Sequence, residues 1–148
     1  MISFYISCEP PKSTHQASQR ILKRKNGQMF IGKFANSKAK KAKDDFISMF
    51  TPYKPKKPLE GPLRLCVGWV YPWRKAETKR NKQNGIMHCD KRPDCDNLAK
   101  MIQDVLGDLK FYNDDGQIAS LEFNKFWGDE PGISISLKEL KQEDINND

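Results

Sequence analysis

Two pairs of aspartates flank one segment of the chain. Asp94 and Asp96 stand one residue apart before it, and Asp114 and Asp115 follow it. A single aspartate at the start of a helix is explained as a cap, because carboxylates are favoured at a helix N-terminus. A cap does not explain two aspartates together with a second pair. Clustered carboxylate oxygens are typical of Mg²⁺ sites, in which a few carboxylates act with substrate phosphates and water.

Lys100 follows Asp96 by four residues. On a helix this spacing puts the two side chains roughly on one face. One interpretation is an Asp–Lys pair that stabilises the helix by about 0.2–0.5 kcal/mol. The other is a cation directed at a phosphate group beside the metal. The spacing alone leaves both interpretations open.

The segment between the acidic pairs has the periodicity of an amphipathic helix. Its apolar residues follow the i, i+3, i+4, i+7 pattern, namely Leu98, Met101, Ile102, Val105, Leu106 and Leu109. The pattern predicts helices over residues 94–109 and 37–50, and strands over residues 2–8, 29–34, 63–73, 118–127 and 133–137. A turn at residues 128–132 joins the last two strands. This order predicts an α+β domain, a small mixed sheet with two main helices packed on it.

The remaining segments are interpreted as connections within one domain, residues 1–148, because the length suits a single domain. Residues 12–28 and 74–93 are predicted to be basic loops. Residues 51–62 contain four prolines and are predicted to be a linker. Residues 141–148 are predicted to be an acidic, solvated tail.

Charge is distributed unevenly along the chain, whose formal net charge is +7. Residues 1–93 contain 21 lysines and arginines against 6 acidic residues, whereas residues 94–148 contain 5 against 13. A basic first part favours an anionic partner, with nucleic acid first and an acidic membrane surface second. Carboxylates repel phosphate, so a dense acidic block in such a protein favours a metal site.

Hydropathy and cysteine usage narrow the class of protein. The mean hydropathy is −0.77, and no apolar run approaches the roughly 20 residues that span a bilayer, so a membrane protein is excluded. The first residues lack the pattern of a signal peptide, and the four cysteines are widely scattered. We therefore expect an intracellular protein with reduced thiols.

Two stretches carry a resemblance to a known family. RPDCDNLAK (residues 92–100) and FYNDDGQI (residues 111–118) resemble the RusA family of Holliday junction resolvases, small endodeoxyribonucleases often carried by prophages. The likeness runs from about Arg92 to Ile118 and is specific, because four polar clusters agree in order and spacing. Outside this region the likeness is looser.

The resemblance implies roles for particular residues. The metal-binding acids of the family fall on Asp94, Asp96 and Asp115, with Asp114 adjacent in a supporting position, and its active-site lysine falls on Lys100. The implied cofactor is Mg²⁺, with Mn²⁺ able to substitute, and no organic cofactor is expected. A bound metal ion generates a nucleophilic water and offsets charge on the phosphate, and the number of metal ions is left open.

The resemblance also implies partners. The substrate is expected to be branched DNA, a four-way junction, resolved by two symmetric nicks during recombination and repair. A homodimer suits this task because a twofold dimer presents one active site to each strand. Phe123, Phe126 and Trp127 are candidates either for the core or for the dimer interface. The expected location is the cytoplasm of a bacterial or phage-infected cell, at the nucleoid.

The basic loops supply the candidate DNA contacts. These are Arg20, Lys23, Arg24, Lys79, Arg80 and Arg92. Contacts of this kind neutralise phosphates, so binding is expected to weaken steeply with salt.

Other interpretations remain. The protein is alternatively a non-catalytic binder of branched DNA, or a nuclease of the same chemistry that prefers flaps or forks. A zinc site is a further interpretation, with His88, Cys89 and Cys95 as ligands, but these residues lack the paired spacing of structural zinc sites. A nucleophile formed by Cys89 with His15 or His88 lacks any supporting context.

Overall fold

The computed structural model of the chain describes residues 1–10, 18–34 and 37–146, and for residues 18–20, 32–34, 38 and 39 it describes the backbone alone. The strands are Ile2–Ser7 (β1), Ser18–Lys23 (β2), Met29–Phe34 (β3), Leu63–Pro72 (β4), Ile86–His88 (β5), Ile118–Gly128 (β6) and Gly132–Glu139 (β7). The helices are Ser37–Phe50 (α1), Lys79–Lys82 (α2), Cys95–Asp108 (α3) and Gln142–Asn146 (α4). Short 3-10 turns occupy Thr51–Tyr53 and Asp115–Gln117.

Five strands form one mixed sheet in the order β1-β7-β4-β6-β5. β4 and β6 are parallel, whereas the other neighbours are antiparallel. Parallel strands require a crossover connection, and α3 lies within it. α3 begins beside the C-terminal half of β6, where Lys125 contacts Pro93, and ends before the start of β6. Helix and strand therefore run in opposite directions, and the predicted α+β class with a mixed sheet is confirmed.

The core lies between this sheet and the two long helices. Alternate residues of β4 are buried, namely Leu63, Leu65, Val67, Trp69 and Tyr71, as expected for a strand with one covered face. The predicted apolar stripe of α3 is buried against them, with Leu109 partly buried at its end. α1 adds Phe46, whose ring lies 5.6 Å from that of Trp69. An ion pair of 2.9 Å between Lys43 and Asp108 links α1 to α3.

No membrane-spanning helix is present among the described residues: the longest helices have 14 residues and are not apolar enough.

Phe123 and Trp127 pack against the core, as one of the two interpretations predicted. Phe126 lies between them on the other face of β6, where its ring is 5.1 Å from that of His88. All four cysteines lie in the described part of the chain and are unpaired.

The prediction of a loop over residues 12–28 is wrong for residues 18–23. These residues form β2, which pairs with β3 in a two-stranded ribbon that places Ile21 opposite Ile31. β2 has two adjacent apolar residues rather than alternating ones, so the pattern did not indicate a strand. Its pairing across the turn at Gly27, where φ is +85°, supplies the backbone hydrogen bonds. Residues 12–17 lie outside the described residues.

The prediction of a loop over residues 74–93 is also partly wrong, and the acidic tail contains a short exposed helix. Residues 79–82 form α2, capped by the Thr78 hydroxyl, which accepts a hydrogen bond of 3.2 Å from the Asn81 amide. Residues 86–88 form β5 along the end of β6. Residues 142–146 form α4, held by an ion pair between Lys138 and Asp144. Elements of three to five residues are too short to show periodicity, which explains why the sequence did not indicate them.

The turn at residues 128–132 joins β6 to β7, as predicted, but the two strands are not neighbours because β4 lies between them. Neighbouring strands are about 4.8 Å apart, so the turn crosses roughly 10 Å. Three residues between the strands suffice for that distance, since an extended residue spans about 3.3 Å.

Gly132 is a position at which we expect a large loss of stability on substitution. A Cβ there would collide with the Tyr5 hydroxyl and lie 2.6 Å from the Ile6 carbonyl oxygen, which is backbone and cannot turn away. Gly132→Ala should lower the free energy of unfolding by about 1–3 kcal/mol, measured by denaturant unfolding. The control is Gly107→Ala, where the nearest atom of the described residues would be 3.5 Å from a Cβ and alanine favours the helix by about 0.5–1 kcal/mol. Equal effects of the two substitutions would contradict the prediction.

Candidate active site

Asp94 and Asp96 lie at the N-terminus of α3, as predicted. Asp94 is the N-cap residue, with φ −72° and ψ 145°, and its carbonyl accepts the first helical hydrogen bond from Leu98 at 3.1 Å. Its carboxylate makes no capping hydrogen bond. Both aspartates are exposed. The role of N-cap therefore explains the backbone conformation of Asp94 but gives no role to its carboxylate. The carboxylates of both aspartates face solvent.

Lys100 is exposed one turn further along α3, beside the buried residues Ala99 and Met101. Asp96 and Lys100 both belong to the described residues, and no ion pair joins them. The interpretation of Lys100 as a helix-stabilising partner of Asp96 therefore has no support in the structure. The ammonium group and the two carboxylates share the same end of the helix.

Lys125 of β6 holds the segment before Asp94 through hydrogen bonds. The sequence pattern had not identified this residue as part of the site. Its ammonium group donates hydrogen bonds to the carbonyls of Lys91 at 2.5 Å and Pro93 at 2.7 Å. Its own carbonyl accepts a hydrogen bond of 2.9 Å from the Cys89 amide. A signal was present in the sequence, because the alternation of β6 puts Lys125 on the core-facing side, between Phe123 and Trp127.

Asp114 has a structural role in the turn after α3. Its carboxylate accepts a hydrogen bond of 2.6 Å from the Gly116 amide, and the Gln117 side chain accepts from the amides of Asn113 and Asp114. This is a capping box, and Gln117 also donates to two carbonyls of the 51–62 segment. The spacing Asp-x-x-Gln is the sequence signature of such a box. Asp114 and Gln117 thereby fix the backbone from which Asp115 projects.

Asp115 lies at the other end of α3 from the first aspartate pair. A Cβ at Gly107, in the last turn of the helix, would be 3.5 Å from Asp115 Oδ1. Burial, followed by the negative charge of Asp115, raises the pKa of Tyr112 above its ordinary value. The Tyr112 hydroxyl therefore stays protonated and donates to the Gln103 carbonyl at 2.7 Å.

Within one chain these acids do not converge. Gly107 follows Asp96 by eleven positions, which corresponds to about 16 Å along a helix axis. Two oxygen ligands of one Mg²⁺ are at most about 4 Å apart, and a two-metal cluster extends this to roughly 8 Å. Among the described residues, no three His, Cys, Asp or Glu side chains form a group that could hold a metal ion. Asp94 and Asp96 alone fit Mg²⁺, which is commonly held by one or two carboxylates with water and phosphate.

The residues considered for zinc do not converge either. The ring of His88 packs against that of Phe126 on the open face of the sheet, whereas Cys89 is buried on the other side. The Cys89 thiol points to the Lys91 carbonyl at 3.9 Å.

The candidate DNA contacts lie on two exposed elements and one loop. Lys23 and Arg24 are exposed at the end of the β2–β3 ribbon, and the Arg24 guanidinium lies 5.1 Å from the centre of the Phe30 ring. Lys79 and Arg80 are exposed on α2, and Arg92 is exposed two residues before Asp94. Arg20 belongs to β2, but its side chain lies outside the described residues.

Comparison with known proteins identifies the class as a DNA endonuclease. A family model described as "Endodeoxyribonuclease RusA" matches residues 10–138. The chain therefore belongs to the RusA family of endodeoxyribonucleases, and the predictions of this family and of a nuclease are confirmed.

Two relatives illustrate the similarity. A "Crossover junction endodeoxyribonuclease rusA" of Lactococcus phage r1t is 35% identical over 89 residues, covering 59% of this chain and 63% of the phage protein. An "Uncharacterized protein YqaN" of Bacillus subtilis (strain 168) is 27% identical over 109 residues, covering 70% of this chain and 76% of the relative.

Proposed function

We propose that this nuclease is a Mg²⁺-dependent, structure-specific enzyme that resolves four-way DNA junctions as a homodimer, by symmetric paired nicks. The observation that carries the proposal is the pair of exposed carboxylates, Asp94 and Asp96, at the start of α3 with Lys100 one turn away. The similarity to a phage protein named as a crossover junction endodeoxyribonuclease supports the choice of substrate.

Each residue has a distinct part in this proposal. Asp94 and Asp96 would hold the metal, which would supply a nucleophilic water and stabilise charge on the phosphate. Lys100 places a positive charge near the same phosphate oxygens. Arg92, two residues before Asp94, contacts the neighbouring backbone of the DNA strand. The N-terminus of α3 adds a favourable field for the phosphate anion.

Asp115 joins this site only if a second copy of the chain supplies it. Its carboxylate lies near Gly107, about 16 Å from Asp96 in the same chain, which is beyond the reach of one metal centre. A twofold dimer that brings the C-terminal end of one α3 to the N-terminal end of the other would complete two equivalent sites. Such a dimer also matches the pseudo-twofold symmetry of a four-way junction.

The test is cleavage of a synthetic, mobile four-way junction with and without Mg²⁺. We expect paired symmetric nicks that require the metal. Preferred cutting of flaps or forks would keep the chemistry and replace the substrate. Tight binding of the junction with no cutting under Mg²⁺ or Mn²⁺ would instead indicate a non-catalytic binder and contradict the proposed function.

The ribbon is proposed as a contact to the DNA arms. Residues 18–34 contain five basic residues and no acidic residue, and Lys23 and Arg24 are exposed at its tip. Lys23→Ala/Arg24→Ala should therefore lower the slope of log K against log salt by about 2, at about 0.9 for each lost phosphate contact. The matched control is Lys56→Ala/Lys57→Ala, two exposed lysines of the 51–62 segment. Electrophoretic binding assays at several salt concentrations give both slopes, and equal slopes for the two variants would contradict this assignment.

A further inference from the structure

Lys125 occupies an unusual place for a charged residue. It lies on the core-facing side of β6 between Phe123 and Trp127, both of which pack against the core. Its side chain is partly buried. Within the described part of the chain, no carboxylate forms an ion pair with it. Removing a charge from water is costly unless hydrogen bonds compensate, so a lysine in this position needs a reason.

The compensation comes from the backbone that leads into the active site. Two of the three ammonium donors are taken by the carbonyls of Lys91 and Pro93, at 2.5 and 2.7 Å. The Lys125 carbonyl accepts from the Cys89 amide at 2.9 Å. The Lys125 side chain therefore holds positions 91 and 93, and its backbone carbonyl holds position 89. Position 93 directly precedes Asp94.

We infer that Lys125 is a positioning residue for the cleavage reaction: it fixes residues 89–93 against β6 and so sets where Asp94 and Asp96 enter the site. The inference rests on the proposed function for the identity of the reaction. The other fixed points of the segment are β5, which has only three residues and pairs at the sheet edge, and the buried side chains of Cys89 and Pro93. A carboxylate pair that must hold a metal against a phosphate needs a fixed backbone, because small displacements of a supporting residue reduce rate strongly.

The charge of Lys125 has a second consequence. Charge-assisted hydrogen bonds are roughly twice as strong as neutral ones, so the ammonium holds the two carbonyls more firmly than a neutral side chain would. A neutral donor in its place should hold the segment partially, and an apolar side chain of similar length should not hold it.

The experiment compares Lys125→Met, which keeps the length and removes the donors, with Lys125→Arg, which keeps charge and donors. Lys125→Gln is the fallback if the methionine variant does not fold. The control is Lys138→Met, a half-buried lysine on β7 whose partner is Asp144, remote from the aspartate pair. Three quantities are measured: the single-turnover cleavage rate at saturating Mg²⁺, the junction Kd in Ca²⁺, and amide hydrogen exchange over residues 89–98.

For Lys125→Met we expect a cleavage rate lower by about 10- to 100-fold, the range found for residues that orient metal ligands. The junction Kd should stay within about twofold of wild type, and amides 89–98 should exchange faster. Lys125→Arg should recover most of the rate, and Lys138→Met should change none of the three. If the role of Lys125 were only structural, Lys125→Met would lower the stability of the protein without lowering the cleavage rate at an unchanged junction Kd.

Two outcomes overturn the inference. One is unchanged exchange over residues 89–98 in Lys125→Met or Lys125→Gln, which would mean that the lysine does not hold the segment. The other is faster exchange with a wild-type cleavage rate, which would mean that the segment does not position the chemistry. If the wild type cuts no branched DNA, the proposed function fails, and the exchange measurement still decides whether Lys125 anchors residues 89–98.

Discussion

Asp94→Asn is expected to lower the rate of junction cleavage by about 1,000-fold or more while leaving junction binding within about twofold of wild type. A metal ion contributes several kcal/mol to transition-state stabilisation, and each 1.36 kcal/mol is a factor of ten in rate. The carboxylate of Asp94 makes no capping hydrogen bond, so its loss should not destabilise α3. Asparagine keeps the shape and the capping preference of the residue while removing the negative charge.

The measurement is single-turnover cleavage of the four-way junction at saturating Mg²⁺, with Kd determined separately in Ca²⁺. Asp45→Asn is the matched control, because it removes one exposed carboxylate from the other long helix, α1. A thermal unfolding curve for each variant separates loss of activity from loss of fold. Cleavage by Asp94→Asn at a rate near wild type would remove Asp94 from the metal site.

The local sequence pattern was sufficient to predict the helix that carries Asp94 and Asp96 and the buried strand on which it packs. The predicted helix over residues 94–109 agrees with α3, Cys95–Asp108, with Asp94 as its N-cap and Leu109 as its C-cap. The helix was predictable because two signals indicate it at the same place: six apolar residues at helical spacing and acidic residues at the start. The strand over residues 63–73 agrees with β4 for the same reason, since its alternation matches one buried face.

The features that depend on tertiary contacts were not predictable in this way. The hydrogen bonds of Lys125 join residues more than 30 positions apart, and the insertion of β4 between β6 and β7 is a choice of strand pairing that no local pattern specifies. β2 has only two apolar residues among six, so its pairing with β3 in the ribbon was not indicated by the local pattern.

The distance between the acidic pairs is a different case. The sequence suggested one cluster because both pairs flank the same helix, yet a helix of 14 residues is a rigid spacer of about 20 Å. The separation of Asp96 from Asp115 therefore follows from the predicted helix itself. The helix prevents the two acidic pairs of one chain from forming one centre, but it allows a site shared between two chains, provided that two helices meet end to end.

A heterodimer of Asp94→Asn and Asp115→Asn chains is expected to cut DNA, although each variant alone is expected to be inactive. If Asp94 of one chain works with Asp115 of the other, one of the two sites in this heterodimer carries both substitutions and the other carries neither. The intact site should nick the junction at about half the wild-type rate per dimer, and the products should be single nicks rather than paired ones. Co-expression with two different affinity tags and sequential purification isolates the mixed species.

The control heterodimer pairs Asp94→Asn with Lys100→Ala. These residues lie on the same end of α3 in one chain, so both sites of that heterodimer are damaged under either arrangement, and it should remain inactive. Nicking by the first heterodimer and none by the second would establish that each site takes residues from two chains. If neither heterodimer nicks above the level of its parents, while both purify as dimers, Asp115 does not act in trans. Because Asp115 is too far from Asp96 within its own chain, it would then have no place in the metal centre, and the loss of activity in Asp115→Asn would have to arise through its contacts with Tyr112 and the end of α3.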